Sequence, residues 1–296
     1  MTQKSVPLTL IHLGALGLVL AGQAEAQPVL RRDAPVQPLQ LVRKGELLVG
    51  AGVGYEADVK VPLIAVGGDL ARWGVLQLSY GVADGVVITV QGDSFRELSV
   101  DSMGTLPTDS LGVPLVTPDD GLADGKSAGA GDFRVGIAFR IFGADRGPFV
   151  GGRFQFNVPD SNQAEGLGTN SMMMRASVLG GYGNGPLDLT ADLGIAILEA
   201  PAESFEQNDV VVYAAELLYA PLPSRPLRLF AGVDGRASTR SRVPIGTEDL
   251  GQVHLGADYR FGRWRIDLNG LVGYAGNSPR WGVGGGLALL FAPSTG

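Results

Sequence analysis

Apolar and polar residues alternate along most of the chain downstream of residue 45. Between residues 133 and 141, for example, every second residue is a large apolar one, and those between are arginine, glycine or alanine. Because successive side chains of a β-strand point to opposite faces, this period of two predicts a strand with one apolar face. About twelve such segments have a length suited to tilted strands that cross a bilayer. They lie at 46–55, 73–82, 86–91 and onward, 133–142, 149–157, 172–182, 187–198, 210–220, 227–236, 250–261, 264–274 and 281–291.

The predicted connections between these segments alternate between short and long. Short ones lie at 83–85, 143–147, 183–186, 221–226 and 262–263, and long ones at 57–72, 98–131, 158–171, 199–209 and 237–249. Bacterial outer-membrane barrels have short periplasmic turns, longer external loops and aromatic residues at both membrane interfaces, and aromatics also gather near the ends of the predicted strands. We therefore predict an all-β fold, a single transmembrane antiparallel up-and-down β-barrel of about twelve strands with both ends periplasmic.

Composition supports a membrane barrel and excludes several other classes of protein. Of 296 residues, 45 are glycine and only 18% are charged, whereas 45% are hydrophobic. The absence of cysteine excludes a disulfide scaffold, a thiolate metal site and a cysteine nucleophile. A net charge of −7 argues against nucleic acid as a partner.

The N-terminus has the pattern of a secretory signal peptide. Lys4 precedes an apolar run at 8–21, and Ala24-Glu25-Ala26 supplies a small-x-small cleavage pattern. The run is shorter than the about 20 residues that a spanning helix needs, although an uncleaved anchor is the alternative. We expect a signal peptide at 1–26, a proline-rich periplasmic extension at 27–44, the barrel at 45–291 and a tail at 292–296. An alternative for the extension is that it threads the lumen as a plug.

Strand alternation assigns a set of charged residues to the lumen. Four arginines on three consecutive strands predict a basic wall, and three carboxylates on the next two strands predict an acidic counterpart. The complete set is Arg134, Arg140, Arg153, Arg175, Asp188, Asp192, Glu216, Asp234, Arg236, His254, Asp258, Arg265 and Asp267. These residues either contact a solute in the pore or pair with one another and brace the barrel, and both interpretations stay open.

Catalysis and metal binding have little support in the sequence. A Ser-His-acid site would have to use His254, the one histidine left after signal cleavage, with a cross-strand acid such as Asp234 or Asp267. No GxSxG sequence occurs. The acidic residues at 119, 120, 124 and 132 do not have EF-hand spacing and are interpreted as part of a solvated external loop. We expect a non-enzymatic protein without a cofactor or metal, and an outer-membrane lipid hydrolase is the less favoured alternative.

Several stretches resemble one family of outer-membrane proteins. They are YGVADGVVITVQG (80–92), GDFRV (131–135), FQFNVPDSNQAEGLGTN (154–170), LTADLGIAIL (189–198), GADYRFGRWRIDLNGLVGY (256–274) and WGVGGGLALLF (281–291). Together they are similar to the phenol meta-pathway-associated outer-membrane proteins over residues 45–291. Members usually have a Pro-Thr-Gly-Asp type stretch where this chain has Val158-Pro159-Asp160-Ser161. The resemblance implies an outer-membrane barrel that moves small hydrophobic or aromatic molecules.

The functional prediction is an outer-membrane channel or transporter that passes or binds small molecules through its lumen. A barrel sealed by salt bridges, with a structural or surface-interaction role, is the alternative. The expected partners are outer-membrane lipids and lipopolysaccharide, the barrel-assembly machinery and a small-molecule solute. Phe291 fits the aromatic end that the assembly machinery reads, although five residues follow it.

Overall fold

The chain forms a sheet of thirteen strands in a computed structural model that describes residues 42–144, 147–201, 206–221 and 226–292. The strands are β1 Leu47–Val61, β2 Val66–Ala83, β3 Val86–Met103, β4 Lys126–Gly129, β5 Phe133–Gly143, β6 Gly147–Val158, β7 Met173–Asn184, β8 Leu187–Glu199, β9 Gln207–Tyr219, β10 Leu227–Ser238, β11 Leu250–Phe261, β12 Trp264–Gly273 and β13 Trp281–Phe291. Two short 3-10 helices, Pro62–Ile64 and Asp120–Asp124, complete the described secondary structure. No helix among the described residues is long and apolar enough to cross a membrane.

Twelve of these strands close into one antiparallel barrel, as the sequence predicts. Each barrel strand pairs with its neighbour in the chain, β3 pairs with β5, and β1 closes the barrel against β13 from Leu47↔Phe291 to Ala57↔Trp281. The short β4 belongs to the loop after β3 and pairs with the loop end of that strand. By the rule that short turns are periplasmic, the start of β1 and the end of β13 lie at the periplasmic end of the barrel and the long loops at the external end.

The predicted external loop at 57–72 is wrong, because this segment is mostly strand. β1 continues to Val61 and β2 begins at Val66, so only a tight connection remains between them. Likewise β3 continues to Met103, five residues past the predicted start of its loop at residue 98. Irregularities in the β1–β2 pairing between Gly52 and Val53 and between Glu56 and Val59 interrupt the alternation of side chains. For this reason the period-of-two pattern does not predict these strand ends.

The outer surface is apolar and carries aromatic residues at both ends, as expected for a lipid-facing barrel. Large apolar side chains along every long strand are exposed. Exposed aromatics toward the periplasmic end include Tyr80, Phe142, Tyr182, Tyr219, Tyr259, Trp264 and Phe291, and those toward the external end include Trp73, Phe95, Phe156, Tyr274 and Trp281. The apolar faces of the strands therefore point outward, and their charged and glycine-rich faces point into the lumen.

Two clusters of buried apolar side chains lie at the ends of the barrel. The periplasmic floor consists of Val42, Leu48, Val87, Ala138, Phe149, Leu179, Ala288 and Leu290. The external cluster consists of Ile64, Val66, Leu70, Leu98, Leu122 and Leu167 and joins the extended β1–β3 region to the loops above it. Packed apolar side chains therefore fill the periplasmic end of the lumen, and most of its charged residues lie between this floor and the long loops.

Parts of the predicted domain organisation fall outside the described residues. The signal peptide at 1–26, the extension up to residue 41 and the tail from residue 293 are among them. At the described end of the extension, Val42 is buried, with 3% of its surface exposed. Arg43 and Lys44 are exposed.

Candidate functional site

All thirteen charged residues predicted for the lumen are buried or half-buried, even though many of their strand neighbours are exposed. Arg153, Arg175, Asp192, Glu216, Asp234, His254, Asp258, Arg265 and Asp267 are buried, and Arg134, Arg140, Asp188 and Arg236 are half-buried. This placement agrees with the predicted inner faces. The side chains differ in their partners, and those partners separate the lumen into layers.

In the middle layer, Asp192 lies between two arginines. Its Oδ2 is 3.0 Å from Arg153 Nη1, and its Oδ1 is 2.9 Å from Arg175 Nη2. Asp192 is 2% exposed and Arg153 8% exposed, so water scarcely reaches either side chain. The three residues link β6, β7 and β8 and brace that side of the barrel.

On the strands that follow β8 around the barrel, His254 of β11 lies between two carboxylates. Its Nδ1 is 3.1 Å from Asp234 Oδ1 on β10, and its Nε2 is 3.4 Å from Glu216 Oε2 on β9. Gln252 also donates a hydrogen bond to Asp234. Both ring nitrogens therefore face carboxylates, which is the geometry of a structural link between β9, β10 and β11.

Near the periplasmic end, Asp258 forms ion pairs with several arginines. Its Oδ2 is 3.1 Å from Arg265 Nη2, and its Oδ1 is 3.1 Å from Arg228 Nε. Asp267 lies directly opposite Asp258 in the β11–β12 register, and both are 1% exposed. On the other side, the guanidinium of Arg140 lies 5.9 Å from the centre of the Phe149 ring, above the periplasmic floor. Asp188 is half-buried on β8, close to the same end.

The predicted opposition of a basic and an acidic wall is wrong. Because β6, β7 and β8 are consecutive neighbours, Arg153 and Arg175 reach Asp192 directly instead of facing it across the pore. Neighbouring opposite charges neutralise each other locally, so they do not produce the transverse field that separated walls would give.

A second buried network, in the external half, was not predicted from the sequence. Arg72 donates from Nη2 to Asp93 at 2.7 Å and from Nη1 to Glu56 at 3.1 Å. Arg96 donates from Nε to Asp93 at 2.6 Å and from Nη1 to the carbonyl oxygen of Leu167 in the β6–β7 loop. The sequence analysis placed Arg72 in the predicted loop at 57–72, and register irregularities in this part of the sheet shift the alternation that would have assigned Arg72 to the lumen.

Beside this network the lumen contains a cavity of about 210 Å³, which we call the vestibule. Strands around most of the barrel contribute to its lining, so it lies inside the barrel and toward the long loops. Its charged lining residues are Arg72, Asp93, Arg96, Asp132, Arg134, Glu199 and Arg236, and its polar and apolar ones include Gln77, Gln91, Asn157, Thr169, Ser171, Val75, Met173, Leu198 and Leu250. A neighbouring cavity of about 90 Å³ shares Arg134, Met173, Arg236 and Leu250 with it.

Two of the loop carboxylates, Asp119 and Asp132, accept hydrogen bonds from backbone amides in turns. Asp119 accepts a hydrogen bond from the Gly121 amide, and Asp132 accepts from the amides of Asp160 and Ser161. Asp132 thereby holds the start of the β6–β7 loop over the vestibule. Within the described part of the chain, no three histidine, aspartate or glutamate side chains are grouped in a way that could hold a metal ion.

Comparison with family models and with curated proteins finds no match. Among solved structures, the barrel is similar to the NanC porin, with a TM-score of 0.51 and 9% identity over 81% of this chain and 98% of that one. The translocator domain of the autotransporter NalP from Neisseria meningitidis gives a TM-score of 0.49 at 14% identity, over 83% of this chain and 87% of that one. At such identities the likeness concerns the fold. The protein has the closed antiparallel β-barrel fold of a porin, and the resemblance to the phenol meta-pathway family stays a prediction.

Proposed function

We propose that this protein is an outer-membrane channel that takes a small aromatic carboxylate from the external side into its vestibule. The observation that carries the proposal is the vestibule itself, a cavity inside the barrel lined by several arginines, by amides and hydroxyls, and by apolar side chains. Arginine presents donors in a fork that matches a carboxylate, and its planar group also stacks on aromatic rings. The apolar side chains of the lining can pack against the aromatic ring of such a solute.

The size of the vestibule favours a molecule with a single ring. Its volume of about 210 Å³ lies below the range of about 300–1,000 Å³ that is typical of ligand pockets, which favours a small solute. Ligand sites in general combine an apolar lining with a few polar groups that fix orientation. The family resemblance, which implies small hydrophobic or aromatic cargo, agrees with this class of solute.

A barrel sealed by ion pairs is the second candidate, and one observation favours it. The Arg153–Asp192 pair at 3.0 Å and the apolar floor fill the lumen below the vestibule. On our proposal this is the closed state of the channel, and passage requires the floor to move. On the alternative the lumen stays closed and the vestibule is only a surface cavity.

Flux through proteoliposomes distinguishes the two candidates. We expect the wild-type protein to accelerate benzoate uptake over empty liposomes and to accelerate glucose uptake much less. Met173→Trp, which places a large ring in the vestibule, should abolish most of the benzoate flux. The matched control is Met174→Trp, because Met174 is the next residue and is 60% exposed on the outer face. Equal benzoate flux in the two variants would show that the vestibule is not on the path, and no flux in the wild type would support the sealed barrel.

A further inference from the structure

Three arginines meet around Asp258 near the periplasmic end of the lumen. Arg228 of β10 lies 3.1 Å from Asp258 Oδ1, and Arg265 of β12 lies 3.1 Å from Asp258 Oδ2. The Nε atom of Arg260 on β11 is 3.9 Å from Asp258 Oδ1. Asp267 lies opposite Asp258 in the β11–β12 register. We call these five side chains the arginine cluster, and its three guanidinium groups outnumber its two carboxylates.

Arg265 is the most deeply buried arginine of the cluster, at 1% exposed. Its Nη2 faces Asp258, but no atom of the described residues accepts a hydrogen bond from its Nε or its Nη1. Arg72, which is also buried, differs in this respect, because its Nε, Nη1 and Nη2 all donate to the carboxylates of Asp93 and Glu56. A buried donor without an acceptor destabilises the folded state, and most strongly when it is charged. Arg265 therefore needs a further acceptor.

Small residues lie next to Arg265 on the inner face of the barrel. In the β12–β13 register Arg265 is opposite Ala288, and Asp267 is opposite Gly286. In the β1–β13 register Ala288 is in turn opposite Gly50. These three positions of β13 and β1 carry at most a methyl group. A small ion can therefore approach the guanidinium from this side without displacing a large side chain.

We propose that the arginine cluster binds a small inorganic anion of the size of chloride, held mainly by the Arg265 guanidinium. Buried charged groups are stable when they are paired and their hydrogen bonds are satisfied. The anion supplies the acceptor that Arg265 needs, and it balances the excess positive charge of the cluster. The deep burial of Arg265 selects a monatomic anion over a larger polyatomic one. The proposal goes beyond solute uptake, since this anion is a resident component of the barrel and lies apart from the vestibule.

The dependence of stability on the anion tests the proposal in the wild-type protein. Urea unfolding is measured in lipid vesicles at constant sodium concentration while chloride replaces gluconate, an anion too large for the buried cluster. A ligand that binds only the folded state lowers the equilibrium constant of unfolding in proportion to its occupancy. We expect about 0.15 M chloride to lower this constant roughly tenfold, with saturation at higher concentration. Equal constants in chloride and in gluconate would overturn the proposal and indicate that water satisfies Arg265.

Arg265→Met tests whether the chloride effect arises at this cluster. The variant keeps a long unbranched side chain but removes the donors, so its equilibrium constant of unfolding should no longer depend on chloride. The matched control is Arg153→Met, because Arg153 is also buried and also pairs with an aspartate, Asp192, in the middle layer. This control should be less stable than the wild type and still respond to chloride. A response to chloride in Arg265→Met equal to that of the wild type would overturn the site.

Anomalous diffraction from crystals of the wild-type protein grown in bromide locates the ion without a variant. We expect an anomalous peak in contact with the Arg265 guanidinium, and its absence would overturn the proposal. A peak together with a stability that does not depend on chloride would mean an adventitious ion only, and would also overturn it. Chloride-dependent stability without benzoate flux would refute the proposed function and leave the anion site intact. Benzoate flux with a stability that does not depend on chloride would have the opposite meaning.

Discussion

Asp192→Asn is expected to lower the free energy of unfolding by about 3–5 kcal/mol, the range found when one partner of a buried ion pair is removed. Asp192 is the carboxylate between Arg153 and Arg175, at 3.0 and 2.9 Å. Its loss leaves two buried arginines close to each other without their counter-charge. The measurement is urea unfolding of the purified protein in lipid vesicles, followed by tryptophan fluorescence.

The matched control for Asp192→Asn is Glu97→Gln. Glu97 also has an ion-pair partner, Lys126, at 3.2 Å, but these two side chains are 35% and 69% exposed. An exposed pair contributes about 0–1 kcal/mol, so this variant should unfold almost like the wild type. Equal effects of the two substitutions would mean that water reaches Asp192 and that the middle of the lumen is open.

Gly194→Val is expected to prevent most of the chain from reaching the folded barrel. A Cβ at Gly194 of β8 would lie 2.2 Å from the carbonyl oxygen of Ala176 and 2.6 Å from the Cα of Ser177, both on β7. Because these are backbone atoms of the paired strand, they cannot move aside without breaking the β7–β8 ladder. The measurement is the fraction of protein with the altered electrophoretic mobility of a folded barrel before heating.

Gly180→Val on the neighbouring strand β7 is the control for this substitution. Around a Cβ at Gly180, the contact is an ordinary one at 3.8 Å, with the carbonyl oxygen of Phe149. We expect this variant to fold with nearly wild-type yield. A similar loss for both variants would point to a general demand for glycine in the strands and not to the close approach at Gly194.

The barrel could be predicted from the sequence because a membrane strand shows its two faces through a period of two. The order of strands, the alternation of short and long connections and the aromatic ends all follow from that pattern. The strand ends near Glu56 and Arg72 could not be predicted, since register irregularities there shift the alternation. The network of Arg72, Asp93 and Arg96 was missed for the same reason.

Alternation predicts the face of a lumen residue but not its depth or its partner. Both Arg153 and Asp192 could be assigned to the interior, yet their direct contact depends on strand tilt and stagger, which the sequence pattern does not contain. The vestibule also depends on how the loops fold, as in the hydrogen bond from Arg96 to the carbonyl oxygen of Leu167. Such long-range contacts join residues far apart in the chain and leave no local signal.

Calorimetric titration of benzoate into the detergent-purified protein tests most directly whether the vestibule is a solute site. We predict saturable binding at one site, weakened at least tenfold in Arg134→Met, since Arg134 lines both cavities. Arg263→Met, at an exposed arginine of the periplasmic turn between β11 and β12, should leave the affinity unchanged. Absence of saturable binding in the wild type, or equal affinities in the two variants, would contradict the account.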